Sequence, residues 1–288
     1  MSISNTYKAG RHFLQVPGPT NIPDRVLQAM AFPAMDHRGP DFQKLSNNVL
    51  KKIKLIFKSE DPVVIFPSAG TGAMEAALAN TLNEGDKILM FETGHFATEW
   101  CQAAQRYKLD VDFVPGDWRT GADPKIVEKK LNEDKNHKIK AVLVTHNETS
   151  TGIKSQVEEV RKVIDKTQHP ALFMVDTISS LGSYDYNHQK WKVDVTVGGS
   201  QKGLMCPPGL SFNAISPKAL EAYKKSNLTK SYFDWGQMLE NNKQGFYPYT
   251  PAVNLLYALN EAVDMLLEEG LDNVFKRHKR HADATRIA

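Results

Sequence analysis

The chain is poor in cysteine, has no long apolar run and is close to charge balance. Only Cys101 and Cys206 occur in 288 residues. Two separated cysteines make neither a metal-ligand spacing nor a disulfide framework, which points to a reducing compartment. No stretch approaches the ~18 consecutive apolar residues that a membrane-crossing helix needs. The segment Met1-Ser2-Ile3-Ser4-Asn5-Thr6-Tyr7-Lys8 has no apolar core of a secretory leader. A soluble, cytoplasmic protein with no membrane partner is therefore expected. Net charge is only +3, and the basic residues are scattered. The densest clusters, Lys51-Lys52-Ile53-Lys54 and Lys276-Arg277-His278-Lys279-Arg280, read as outer faces of helices. A nucleic-acid surface needs a basic stripe with stacking aromatics, and none is seen. Repeats and low-complexity tracts are absent too.

Short apolar runs do alternate with helical patterns along the whole chain. Strands are expected at 62–66, 86–91, 110–114, 139–145, 171–176, 193–197 and 209–215. Helices are expected at 41–58, 72–82, 96–107, 124–132, 156–167, 217–225, 252–269 and 271–287. This alternation predicts an α/β fold with a mainly parallel seven-stranded sheet. Residues 228–250, rich in aromatics, Asn and Gly, read as a long functional loop. The pattern opening at Leu271 runs into Ala288 without a stop signal.

Chemistry concentrates where strands end. Lys202 follows the run Val193-Asp194-Val195-Thr196-Val197 in a Gly-rich turn, Gly198-Gly199-Ser200-Gln201-Lys202-Gly203. A lysine held among apolar walls has a lowered pKa and can act as a Schiff-base amine. Asp176 closes the run Ala171-Leu172-Phe173-Met174-Val175. Enzymes that use pyridoxal phosphate (PLP) need this pair: a lysine for the aldehyde and an acid for the pyridinium nitrogen. Taken singly, such a lysine is ordinarily a solvated surface group, and such an aspartate a cap or turn former.

Three further strand ends add to the pair. Ser68-Ala69-Gly70-Thr71-Gly72 follows Val63-Val64-Ile65-Phe66 and opens an Ala-rich helix. Its amides can bind a phosphate, or can simply make a tight turn. Phe96, at the start of another helix, can stack on a ring or belong to the core. His95 beside it reads as a ligand or a cap. Thr145-His146-Asn147-Glu148-Thr149-Ser150-Thr151-Gly152 is polar enough for a ligand or a turn, with Asn147 and Thr149 as partners for a ring oxygen. All of these fall at the carboxyl ends of strands, where open α/β sheets bind ligands.

With these residues in place, the chain resembles the serine–glyoxylate and alanine–glyoxylate aminotransferases, in class V of the fold-type I PLP family. The resemblance rests on Val16-Pro17-Gly18-Pro19-Thr20-Asn21-Ile22-Pro23, Ser68–Gly72, His146-Asn147-Glu148-Thr149, Gly199-Ser200-Gln201-Lys202-Gly203, Phe233-Asp234-Trp235 and Tyr247-Pro248-Tyr249-Thr250-Pro251. It spans nearly the whole chain. It implies Lys202 as the Schiff-base lysine and Asp176 as the ring-nitrogen partner. It implies Ala69, Gly70, Thr71 and Gln201 on the phosphate side, with Phe96, Thr149 and Ile178 about the ring. Gly18 and Thr149 would line the substrate pocket. Tyr247 and Thr250 match residues that reach the phosphate of a neighbouring subunit, so a homodimer with shared sites is implied.

The implied reaction is transamination of an L-amino acid with glyoxylate, serine being favoured over aspartate and alanine as donor. The alternatives are a PLP lyase or desulfurase, for which Cys206 is the candidate nucleophile, and a non-catalytic PLP-binding dimer. The implied domain plan is an arm and substrate turn over 1–20, a PLP-binding domain over 21–260, and from 261 a helix leading toward a small C-terminal domain missing from this sequence. Relatives hold the substrate carboxylate with an arginine of that small domain. Arg38 is the candidate substitute, reaching a substrate carboxylate across the dimer, or else part of a structural ion pair.

Overall fold

The computed structural model describes residues 13–288, so residues 1–12 of the expected arm lie outside it. In chain order the elements are α1 (Asp24–Met30), α2 (Pro40–Phe57), β1 (Val63–Phe66), α3 (Gly70–Thr81), β2 (Lys87–Phe91), α4 (His95–Arg106), β3 (Asp110–Val114), α5 (Pro124–Glu133), β4 (Ile139–Thr145), β5 (Asn147–Glu148), β6 (Ile153–Lys154), α6 (Val157–Thr167), β7 (Leu172–Asp176), β8 (Val195–Gly199), β9 (Ser211–Ile215), α7 (Pro217–Tyr223), α8 (Trp235–Asn242), α9 (Val253–Glu269) and α10 (Leu271–Ile287).

Seven strands form one sheet in the order β1-β9-β8-β7-β4-β2-β3, and β5 and β6 make a separate two-stranded ribbon. The pairs β2–β3, β2–β4, β4–β7 and β7–β8 are parallel. Strand β9 runs against both β8 and β1. The mainly parallel seven-stranded sheet is thus present. Helices cover both faces, which is why strands such as Leu172–Asp176 are buried throughout and read as unbroken apolar runs. The chain goes outward from β2 to β3, then returns to β4 on the other side of β2. That reversal is a topological switch point, and it opens a crevice at the carboxyl edge.

Helix α3 shows why Ala and Gly crowd one stretch. Gly70, Ala73, Met74, Ala76, Ala77 and Leu78 are all buried, and the helix packs on β8 and β9. Small side chains let its axis come close to the sheet. It starts at Gly70, two residues earlier than the periodicity predicts, so Gly70 and Thr71 belong to its first turn. On the outer edge, Arg25 bonds Glu261 and Glu268 and ties α1 to α9. Helix α9 runs unbroken through residue 260, where the large domain was expected to end.

Two helices escape the sequence pattern, as do the two-residue strands β5 and β6. Helix α1 has 7 residues, too few for a clear period. Helix α8 lies inside 228–250, which is therefore not one long loop. Asp234 caps it by accepting from Gly236 N–H at 2.7 Å. Buried amides hold it down. Asn80 Oδ1 accepts the Trp235 N–H at 3.0 Å, and Asn213 Oδ1 accepts the Trp235 indole N–H at 3.1 Å. These partners come from α3 and β9, so no local pattern announces them.

Candidate active site

A cleft of about 270 Å³ opens at the carboxyl edge of the sheet. Each wall comes from a different strand end. Ala69, Gly70 and Thr71 follow β1, Phe96 follows β2, and Thr149 follows β4 by way of β5. Asp176 ends β7, Ile178 lies just beyond it, and Gln201 and Lys202 follow β8. Gly18 and Pro19 close the rim. Larger hollows exist near Phe13 and Leu27 (about 600 Å³) and between α2 and α8 (about 700 Å³). Neither contains a buried lysine–carboxylate pair, so the smaller cleft is where chemistry is possible.

Lys202 is pinned at its tip and at its base. Its ammonium donates to the Pro17 carbonyl at 2.7 Å. Thr20 holds the base of the turn, with its N–H on Gln201 O at 3.0 Å and its hydroxyl near Lys202 O at 3.3 Å. Gly18 lies flush against the side chain, and a Cβ there would come within 2.5 Å of Lys202 Cδ. Its φ of +126° also disfavours any other residue. Burial lowers the Lys202 pKa, and the Asp176 carboxylate opposes that shift. The lowered pKa moves Lys202 toward the free amine that a nucleophile needs.

Asp176 is 4% exposed. Among the described residues the one hydrogen bond to its carboxylate comes from Ile178 N–H at 2.8 Å. Burial pushes its pKa up to about 7; the Ile178 bond and Lys202 pull down, and Glu148 pushes further up. A buried carboxylate with one donor is costly alone and is matched by a cationic N–H from a ligand.

The far end of the cleft suits a phosphate. The α3 N-terminus presents backbone amides of Gly70 and Thr71, with no side chain of its own capping them. Gln201 also lines the cleft, and its side-chain NH₂ is the group that can donate to a phosphate; among the described residues its Oε1 has no partner. Phe96 also lines the cleft and brings an aromatic ring to it.

Several expected residues fall elsewhere. Asn147 does not line the cleft; its amide donates to Ser179 Oγ at 2.9 Å, and Ser179 returns a bond to Asn147 O. His95 is exposed on the rim. Arg38 is exposed outside the cleft, and among the described residues its guanidinium has no ion pair, so the structural-pair alternative has no support. Tyr247 and Thr250, expected at the phosphate of a neighbouring subunit, do not line this chain's own cleft. Tyr247 packs edge-on against Phe42 with its hydroxyl buried beside Ser46, and Thr250 is exposed. Cys206 is fully buried and its thiol is pushed up to about 12, so it is not a mobile nucleophile. His146 is buried among Tyr184, Tyr186 and Trp191, with Nδ1 at 2.9 Å from Ser180 Oγ. Burial pulls its pKa down to about 3, so it stays neutral. The sequence reading missed Thr20, Ser179 and the role of the Glu148 carboxylate, because their partners are remote along the chain.

The residues present fit PLP: an amine, a buried carboxylate short of donors, an aromatic face and an open helix N-terminus in one small cleft. The match to known proteins agrees. Residues 12–287 match the family model described as Aminotransferase class-V. The chain belongs to that family, and its fold and cleft define a fold-type I, PLP-dependent aminotransferase. It is similar to a serine–glyoxylate aminotransferase of Methylorubrum extorquens, with 48% identity over 98% of this chain and 72% of that one. An L-aspartate–glyoxylate aminotransferase of Paracoccus denitrificans is 44% identical over 95% of this chain and 69% of its own length. Among solved structures, the alanine–glyoxylate aminotransferase of Nostoc sp. superposes with a TM-score of 0.88 at 30% identity, covering 97% of this chain and 74% of that one.

Proposed function

We propose that this chain moves the amino group of L-serine to glyoxylate, giving glycine and the 2-oxo acid of serine. The observation that carries the reaction class is the pairing in one cleft of the Lys202 amine with the buried, donor-poor Asp176. The similarity to serine–glyoxylate and aspartate–glyoxylate enzymes supports glyoxylate as acceptor. The lining favours serine over aspartate: among the described lining residues Lys202 is the one strong cation, and Glu99 adds an acid. A second carboxylate on the donor meets no guanidinium there.

PLP, when bound, supplies an electrophilic carbon and an electron sink. Lys202, Asp176, Ala69–Thr71, Gln201, Phe96, Thr149 and Ile178 would hold it. Lys202 Nζ is the base that takes the proton from the donor's Cα and returns a proton in the second half of the cycle. Asp176 keeps a negative carboxylate against the ring nitrogen and so favours its protonated form. Gly18 and Pro19 limit the space above Lys202 to a small substrate. Tyr247 and Thr250 belong in this reading to a neighbouring subunit's phosphate site, which makes the working unit a homodimer in the cytoplasm.

The test is the visible spectrum of the PLP-loaded protein. L-serine should bleach the band, and glyoxylate should restore it. Bleaching by L-aspartate in place of L-serine would move the donor assignment. A band that responds to no amino donor would refute transamination.

A further inference from the structure

Glu148 is fully buried, yet no motif gives it a task. It ends β5, and its two oxygens collect four donors from two separate stretches. Phe96 N–H at 3.3 Å and Ala97 N–H at 3.1 Å come from the first turn of α4. Ser150 N–H at 3.1 Å and Ser150 hydroxyl at 2.7 Å come from the turn after β5. Ser150 Oγ also accepts the His95 N–H at 3.0 Å. The N-cap of α4 is Gly94, which has no side chain to cap the helix. Its first three amides are instead satisfied from the β5 turn. Gly94 leaves the room for this, since a Cβ there would lie 2.7 Å from Glu148 Cδ and 2.6 Å from Ser150 Oγ.

Two cleft residues are fixed by this one carboxylate. Phe96 is held through its own N–H. Thr149 lies between Glu148 and Ser150, which bond each other. A carboxylate suits the task because it only accepts, at two oxygens, whereas a glutamine would turn an NH₂ toward the N–H groups of α4. Its charge also complements the helix N-terminus. We propose that Glu148 is a positioning residue that locks the Phe96 face and the Thr149 hydroxyl in one fixed relation across the cleft. This rests on the PLP reading above.

A cap that served only stability would leave cofactor affinity unchanged, so affinity is the measurement. Wild type, Glu148→Gln, Phe96→Ala and the double variant, all as the full chain, are titrated with PLP by absorbance. Glu148→Gln and Phe96→Ala should each weaken binding about tenfold, the size of a lost cap or aromatic contact. The double variant should bind little worse than the weaker single one, because both changes remove the same platform. Unchanged affinity in Glu148→Gln, or a roughly hundredfold product in the double variant, overturns the proposal. Ser150→Ala, at an exposed site, gives a gentler probe should Glu148→Gln not fold. It should weaken binding about threefold in wild type and not at all in Phe96→Ala, and persistence there overturns the proposal. Failure of the wild type to bind PLP would instead bring down the cofactor reading, and this proposal with it.

Discussion

Asp176 and Asp194 are both 4% exposed, and they sit at opposite ends of the paired strands β7 and β8. Asp194 is fully bonded. Its carboxylate accepts from Phe173 N–H at 2.8 Å and from the Ser216 hydroxyl at 2.9 Å, with Lys218 at 3.5 Å. Asp176 has the Ile178 N–H and, among the described residues, no other donor. One carboxylate stitches β7, β8 and α7 together. The other is left short at the cleft, where a ligand completes it. Burial alone therefore does not mark a functional acid; burial with too few donors does.

The largest effect should come from removing the cationic counterpart of Asp176. Lys202→Ala should lower transamination by at least about a thousandfold without unfolding the chain. Glycine formation from glyoxylate measures it, and substantial turnover in that variant would remove Lys202 from the chemistry. Asp194→Ala should do the reverse and act on stability, costing about 3–5 kcal/mol, since it strands a buried N–H, a hydroxyl and a lysine. Denaturant unfolding reads this, and a loss under ~1 kcal/mol would make Asp194 no different from a surface residue.

Asp176→Asn should stabilise the cofactor-free protein at pH 8 while losing most of the rate. The carboxyl pKa of Asp176 is about 7 when folded, against about 3.9 when unfolded. Between those values the folded state holds a proton that the unfolded state has lost, so wild-type stability falls as pH rises through the window. The gain from Asp176→Asn should be near zero at pH 4 and on the order of 2–4 kcal/mol at pH 8. Melting curves at the two pH values check this, and an equal gain at both would mean that Asp176 does not carry the shift. The smallest effect should be Lys218→Ala. Its half-exposed ammonium should contribute no more than about 1 kcal/mol to the Asp194 cluster, and a loss like that of Asp194→Ala would contradict the division drawn here.

The same contrast explains what was legible. Asp176 stands at the end of an apolar run, where the sequence pattern points at it. Asp194 lies inside the apolar run Val193–Val197, and nothing local gives its role. Its side chain takes the Phe173 N–H, and the strand itself begins only at Val195 and extends through Gly199. The expected strand was therefore two residues early. Lys202, Phe96, Thr149 and the Ala69–Thr71 turn are legible because each follows a strand. Glu148 is not, because two of its four donors, the Phe96 and Ala97 N–H groups, lie in α4, remote along the chain. Asn80 and Asn213 are not either, because they bond across to Trp235.

The sequence by itself determined the alternation of strands and helices, the mainly parallel sheet, the family and the lysine–aspartate pair. Each is encoded locally, in apolar period, glycine position and the residue type at a strand end. The tertiary structure alone decided how many hydrogen bonds each buried acid receives and which residues share the cleft, with Asn147 turned away to Ser179. Those outcomes depend on donors remote along the chain, and a buried polar group's energy is set by the partners that folding brings to it.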